Sequence, residues 1–122
     1  MTHEHVIAEF GRRMGLGSLA VTGDRPAQLY MEGLGSLFIE EVGEEILLYL
    51  AGDFPPHDRE APRRALALCR PEIARPFLVY AGLYKDHTLV FLTRFTTKTL
   101  SLQSLEQAVP VLAGLLSEAL SA

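Results

Sequence analysis

Four histidines, one cysteine and a run of clustered acids are the side chains in this sequence with the means to do chemistry. His3 and His5 flank Glu4, while His57 and His87 fall in stretches with loop character. A metal centre needs three or four converging ligands with support behind them; this spacing supplies none, so no metal site is assigned. Cys69 has Arg70 beside it, and a neighbouring cation can lower a thiol pKa, but its place on an apolar helical stretch reads as a structural cysteine. Glu40-Glu41 and Glu44-Glu45 bracket one turn. Paired carboxylates do acid/base work when one is buried, whereas four acids at a hairpin tip read as a solvated, aggregation-resistant sheet edge. No Ser-His-Asp or Cys-His arrangement is available. A pocket around Tyr80, Tyr84 and His87 is the one enzymatic reading, and it requires a deep, polar-lined cavity. The sequence is therefore read as non-enzymatic, with no cofactor.

Gly15-Leu16-Gly17-Ser18-Leu19 returns as Gly33-Leu34-Gly35-Ser36-Leu37. Neither copy has the third glycine of a dinucleotide loop or the Lys-Ser/Thr pair of a P-loop. Both read as turns.

The chain has 122 residues, 48 % of them apolar and 21 % charged, a globular balance for a single domain over 1–122. No apolar run reaches the roughly 18 to 20 residues that span a bilayer, and the start, Met1-Thr2-His3-Glu4-His5, lacks the basic and apolar character of a signal peptide. The expected setting is the bacterial cytoplasm, which also suits a lone cysteine. A net charge of −4 argues against nucleic acid, since phosphate binding needs clustered cations. Arg12-Arg13 and Arg63-Arg64 are expected on solvated helix faces.

Elements follow from hydrophobic period. Thr2 caps a first helix with Val6, Ile7, Phe10 and Met14 on one stripe and Gly15 at its end. Three strands come next, around Leu29-Tyr30-Met31, Leu37-Phe38-Ile39-Glu40 and Ile46-Leu47-Leu48-Tyr49-Leu50, closely enough connected for a meander. Asp58 caps a second helix carrying Pro62, Ala65, Leu66, Leu68 and Cys69. Strands over 77–81 and 88–92 precede a last helix with Leu100, Leu102, Leu105, Val109, Leu112, Leu116 and Leu120 at three- and four-residue steps, almost free of charge. Pro110 is expected to kink that helix or split it in two. The order α-β-β-β-α-β-β-α, without strand-helix alternation, gives an α+β fold: an antiparallel sheet with helices on one face. Three apolar helices compete for one small sheet, and their apolar surplus either fills the core or forms a pair of protein-binding faces.

This order, in an acidic chain of this length, resembles the class I chaperones of bacterial type III secretion. The tail Leu89-Val90-Phe91-Leu92, Thr99-Leu100-Ser101-Leu102 and Leu105-Glu106-Gln107-Ala108, with the start Phe10-Gly11-Arg12-Arg13-Met14-Gly15-Leu16, is similar to the SycN-like subgroup, chaperones of a gatekeeper of secretion. The resemblance implies a dimer that keeps the N-terminal segment of a secreted client in extended form, soluble and ready for secretion. It further implies client contacts at Val6, Phe10, Met14, Leu16, Leu29, Met31 and Phe38, and dimer contacts at Ala65, Leu66, Leu68, Phe77 and Val79. SycN-like members pair with a different small chaperone; heterodimer and homodimer are both open here, and neither membrane insertion nor nucleic acid is implied. On this reading Phe10→Glu weakens client binding and spares the fold. The competing reading is a roadblock-like or longin-like scaffold for a folded partner, which in the roadblock case places its second helix after two strands, not three.

Overall fold

A computed structural model describes residues 2–14, 27–31, 33 and 35–121. The first helix, α1 (His3–Arg13), opens on Thr2, whose hydroxyl accepts from the His5 N–H. Its stripe of Val6, Ile7 and Phe10 is buried, and Arg12 and Arg13 close the helix where cations offset the carbonyl end of its dipole. Strands β1 (Ala27–Met31), β2 (Gly35–Val42) and β3 (Glu45–Asp53) form the expected meander. After α2 (Ala61–Leu68), strands β4 (Tyr80–Tyr84) and β5 (Thr88–Thr96) lead into α3 (Leu102–Leu120). All pairings are antiparallel and the spatial order is β1-β2-β3-β5-β4, so β3 lies at the centre.

Alternation along the strands sorts the sheet into two faces. Leu37 and Ile39 on β2, Ile46, Leu48 and Leu50 on β3, and Leu89 and Phe91 on β5 are buried together with the helices. α3 lies across β3 and β5, with α1 and α2 packed to it. Leu105, Leu112 and Leu116 are fully enclosed, and burying each contributes about 2 kcal/mol. Thr93 is the buried polar residue on this face among those described, and its hydroxyl donates to the Leu78 carbonyl at 2.8 Å.

Several local expectations are corrected. α3 is one continuous helix through Pro110, so it is not split in two there. Pro110 and Glu106, the residue whose carbonyl loses its partner, are both exposed, a position where solvent can serve the carbonyl that proline leaves without a donor. The strand expected over 77–81 starts only at Tyr80, leaving Phe77 and Val79 ahead of β4 rather than within it. Glu60, not Asp58, occupies the N-cap of α2 and makes no side-chain cap bond. Asp58 instead pairs with Arg64, whose Nε–H also donates to the Ala119 carbonyl at 2.9 Å. Arg64 is thus a half-buried clasp between α2 and the last turn of α3, not a solvated cation. The four hairpin acids cap the ends of two interior strands, not a sheet edge.

Gly35 is required by a close approach: a Cβ there would lie 2.1 Å from the Ala51 carbonyl oxygen. Gly35→Ala is expected to destabilise the fold by about 2 kcal/mol, measured by denaturant unfolding. The hydrogen bond from Arg64 holds the Asp58 carboxyl below its ordinary value. A carboxyl lowered in the folded state stabilises at neutral pH, and this contribution fades as pH falls from the unfolded value through the folded one. Thermal melts taken from neutral to acid pH should show that loss, and Asp58→Asn should flatten it.

Candidate functional site

The three described helices lie on one face, and among the described residues no element covers the other face of the sheet. Its rows run across the strands: Phe38, Tyr49, Leu92 and Tyr80 in one, Ser36, Ala51, Val90 and Gly82 in the next, Asp53, Thr88 and Tyr84 in a third. Large side chains therefore flank a row of smaller ones, and Tyr30 stands 69 % exposed at the β1 end. The result is an open concavity of about 720 Å³, bounded by Tyr30, Phe38, Tyr49, Asp53, Tyr84 and Thr88. Phe38 and Tyr49 stack with centroids 4.9 Å apart. The Tyr49 hydroxyl donates to Glu40 Oε1 at 3.1 Å; burial, then that carboxylate, pushes its pKa up to about 12.

A second apolar surface follows the outermost strand, β4. Leu78 is 74 % exposed, Leu66 64 %, Tyr84 60 % and Leu83 52 %. Between α2 and β4 lies a groove of about 280 Å³ lined by Pro62, Leu66, Ala81 and Leu83. Arg94 lies over the Tyr80 ring, 5.2 Å from its centroid, and reaches Glu45 at 3.6 Å.

The residues expected to meet a client do not form one surface. Val6 and Phe10 are core, Phe10 only 1 % exposed; Phe10→Glu would bury a charge and attack the fold itself, contrary to expectation. Met14, Leu29 and Met31 are partly buried at the border of the core. Leu29 and Met31 share the helix-covered face, and Phe38 projects from the opposite one. Leu16 lies outside the described residues. Of the expected dimer contacts, Leu66 is exposed, Ala65 is interior, and Leu68, Phe77 and Val79 are partly buried against the core. Leu78, Tyr80, Leu83 and Tyr84 were not singled out for this surface. The signal was present in the run Phe77-Leu78-Val79, where alternation sends one phase outward, but the strand boundary was needed to say which.

The chemical candidates resolve into structural roles. His3 Nε2 meets Glu41 Oε1 at 3.0 Å, tying α1 to β2, and Arg13 meets Glu106 Oε1 at 3.2 Å, tying α1 to α3. Burial pushes the Cys69 thiol pKa up against a smaller lowering by Arg75, which disfavours the nucleophilic thiolate. Tyr80, Tyr84 and His87 are all exposed. Among the described residues no three His, Cys, Asp or Glu side chains converge on a metal site, and no helix is long and apolar enough to cross a membrane.

The second helix follows three strands, which departs from the roadblock order. Residues 3–120 match the family described as type III secretory system chaperone SycN. The chain belongs to this family. Solved structures share the fold of this SycN-family chain. A chain from the structure of the Yersinia pestis type III secretion chaperone SycH with a stable fragment of YscM2 superposes with a TM-score of 0.68 at 15 % identity, over 98 % of this chain and 100 % of that one. A chain of the ExsC–ExsE complex gives 0.67 at 25 %, over 95 % and 86 %. One from the heterodimeric ExoU–SpcU complex of the Pseudomonas aeruginosa type III secretion system gives 0.59 at 18 %, over 90 % and 97 %. No curated protein matches in sequence.

Because its folded-state value is raised, Tyr49 supports the fold below the ordinary tyrosine range, and that support is lost as pH climbs from about 10 through about 12. Ultraviolet titration of the folded chain should show a phenol ionising near the upper value, and Tyr49→Phe should remove that step.

Proposed function

We propose that this chain is a non-enzymatic chaperone of the bacterial cytoplasm that works as one half of a dimer and holds the N-terminal segment of a secreted client in extended form. The observation that carries the reading is a five-stranded sheet whose outermost strands, β1 and β4, have no further strand beside them among the described residues and are each bordered by apolar side chains. An open edge offers main-chain hydrogen bonds to an added strand, and the side chains beside it set register.

The β1 edge suits the client. A strand added there has Leu29 and Met31 next to it on the core side, with Met14 at the same border of the core. Methionine adapts its shape to varied apolar neighbours, which suits a segment that is disordered until bound and must recover its ordering cost from apolar contact. Val6 and Phe10 act from beneath, as the packing that fixes α1.

The β4 edge suits the second subunit, through Leu66, Leu78, Leu83 and Tyr84. Arg59 and Arg70 lie exposed beside α2, where Arg63 pairs with Glu60 at 3.5 Å. Pairing across a two-fold axis brings the same patch of both copies together, so self-association sets Arg59 and Arg70 of the two copies near one another. That charge favours an unlike partner, and SycN-like members pair with a different small chaperone. The neighbouring structures support the reading in kind: they are described as a chaperone with a fragment of another protein, and as two-protein complexes.

The test is coexpression with neighbouring small chaperones and with N-terminal segments of candidate clients, read by light scattering after size exclusion. A stable complex holding one copy of each is expected. Leu83→Asp should weaken subunit pairing about tenfold or more with the melting curve retained, since the residue is half exposed. A chain that stays monomeric and captures no client segment overturns the reading.

A further inference from the structure

β4 is shorter than the strand it pairs with. It has five residues where β5 has nine, and the ladder between them stops at Tyr80 opposite Leu92. β5 runs on to Thr96 with β3 along one side; among the described residues, no strand lies along its other side past Leu92. Continued in the same register, the chain ahead of Tyr80 would set Val79 opposite Thr93, Leu78 opposite Arg94 and Phe77 opposite Phe95. Its side chains already alternate correctly. Phe77 and Val79 are partly buried against the core, as Phe95 is, while Leu78 is 74 % exposed. These three residues are thus sorted as a strand sorts them, and only the main-chain ladder is missing.

The atoms that would complete it follow from the other side of β5. Just beyond the two ends of the β3 ladder, the Phe54 N–H donates to the His87 carbonyl and the Thr97 N–H to the Glu44 carbonyl, each at 2.8 Å. Successive residues of an antiparallel strand turn their main-chain groups to alternate neighbours. Odd-numbered residues of β5 therefore bond to β3, and Thr88, Val90, Leu92 and Arg94 turn toward β4. The next rung would join the Arg94 N–H to the Leu78 carbonyl and the Leu78 N–H to the Arg94 carbonyl. That Leu78 carbonyl is already engaged. The Thr93 hydroxyl donates to it at 2.8 Å, drawing it toward the helix-covered face and out of line with Arg94. Thr93 is itself buried, so a hydroxyl that let go would lose its acceptor away from water. Pro76 would fall opposite Thr96 and, having no N–H, would end the longer strand.

We propose that β4 is a strand held short by Thr93 and completed by docking: when the second subunit covers Leu78, the segment Phe77–Val79 joins β5 through the Leu78–Arg94 rung. The proposal rests on the subunit pairing at β4 described above and adds a control to it. A lone chain keeps a short outer strand, which resists unwanted edge-to-edge pairing. Docking takes Leu78 out of water, and the longer strand adds Val79 to Ala81 and Leu83, the residues whose main-chain groups point away from β5.

Amide hydrogen exchange read by NMR tests this. In the wild-type chain alone, the Leu78 and Arg94 amides should exchange about tenfold or more faster than those of the paired Gly82 and Val90. Thr93→Val, which keeps the shape and removes the hydroxyl, should slow Leu78 and Arg94 about tenfold and bring up a scalar coupling across the Arg94–Leu78 hydrogen bond. Thr93→Ser should behave as wild type. In the complex with a coexpressed small chaperone, the wild-type chain should gain the same slowing and the same coupling, and Thr93→Val should pair about tenfold more tightly. Slow exchange at Leu78 and Arg94 in the free wild type overturns the proposal, as does fast exchange at both in a folded Thr93→Val chain. If a complex forms and the coupling does not appear in it, the strand proposal falls and the chaperone reading stands; if no complex forms, the docking step falls together with that reading.

Discussion

The contact on which this structure depends is α3 laid across β3 and β5. Leu105, Leu112 and Leu116 fill the middle of one sheet face, and α1 and α2 then pack beside a ridge already in place. Apolar burial is thus gathered on one side of a five-stranded sheet. The outer strands add Ala27, Leu29, Met31 and Ala81 to that core, while the opposite side keeps Tyr30, Tyr80 and Tyr84 in water. A molecule arranged in this way has its stability and its binding surfaces on different faces, so the second can change with little cost to the first.

Element order, antiparallel connectivity and the face of α3 could be read from the chain because each depends on local period: two along strands and about 3.6 along helices. The capping role of Thr2 was local in the same sense. What could not be read depended on partners distant in sequence. Phe38 sits next to buried Leu37 and Ile39, and pattern alone does not say that its face lacks a cover. Arg64 looked like half of a solvated doublet until α3 brought the Ala119 carbonyl to it. Val6 and Phe10 formed a stripe that fits a client groove or a core equally well; the competition among three helices for one face settled it in favour of the core. Pro110 shows the opposite limit: a residue that often ends a helix leaves α3 continuous at a position where it and Glu106 are exposed.

Charge is used sparingly and mostly as a fastener. α1 is fixed at one end by His3 to Glu41 and at the other by Arg13 to Glu106. Exposed pairs of this kind contribute little energy each, but they fix the angle of a helix whose burial supplies the stability. The hairpin acids follow the same economy. Glu40 meets Tyr49, Glu41 meets His3 and Glu45 meets Arg94, so a cluster that looked like open negative charge is largely committed to holding neighbours.

α2 is a helix of eight residues with no side-chain cap, too short to persist by itself. One side is held by buried Ala61 and Ala65 and by the Arg64 clasp on α3; the other presents Leu66 outward. On the proposed pairing, a subunit that docks on Leu66 acts on the same short rod that secures the last turn of α3. Thermodynamic reciprocity follows. To the extent that docking steadies α2, it suppresses fraying at the C-terminus, and whatever loosens the C-terminus weakens docking by the same free energy. Subunit assembly and the integrity of the last turn are then two readings of one equilibrium.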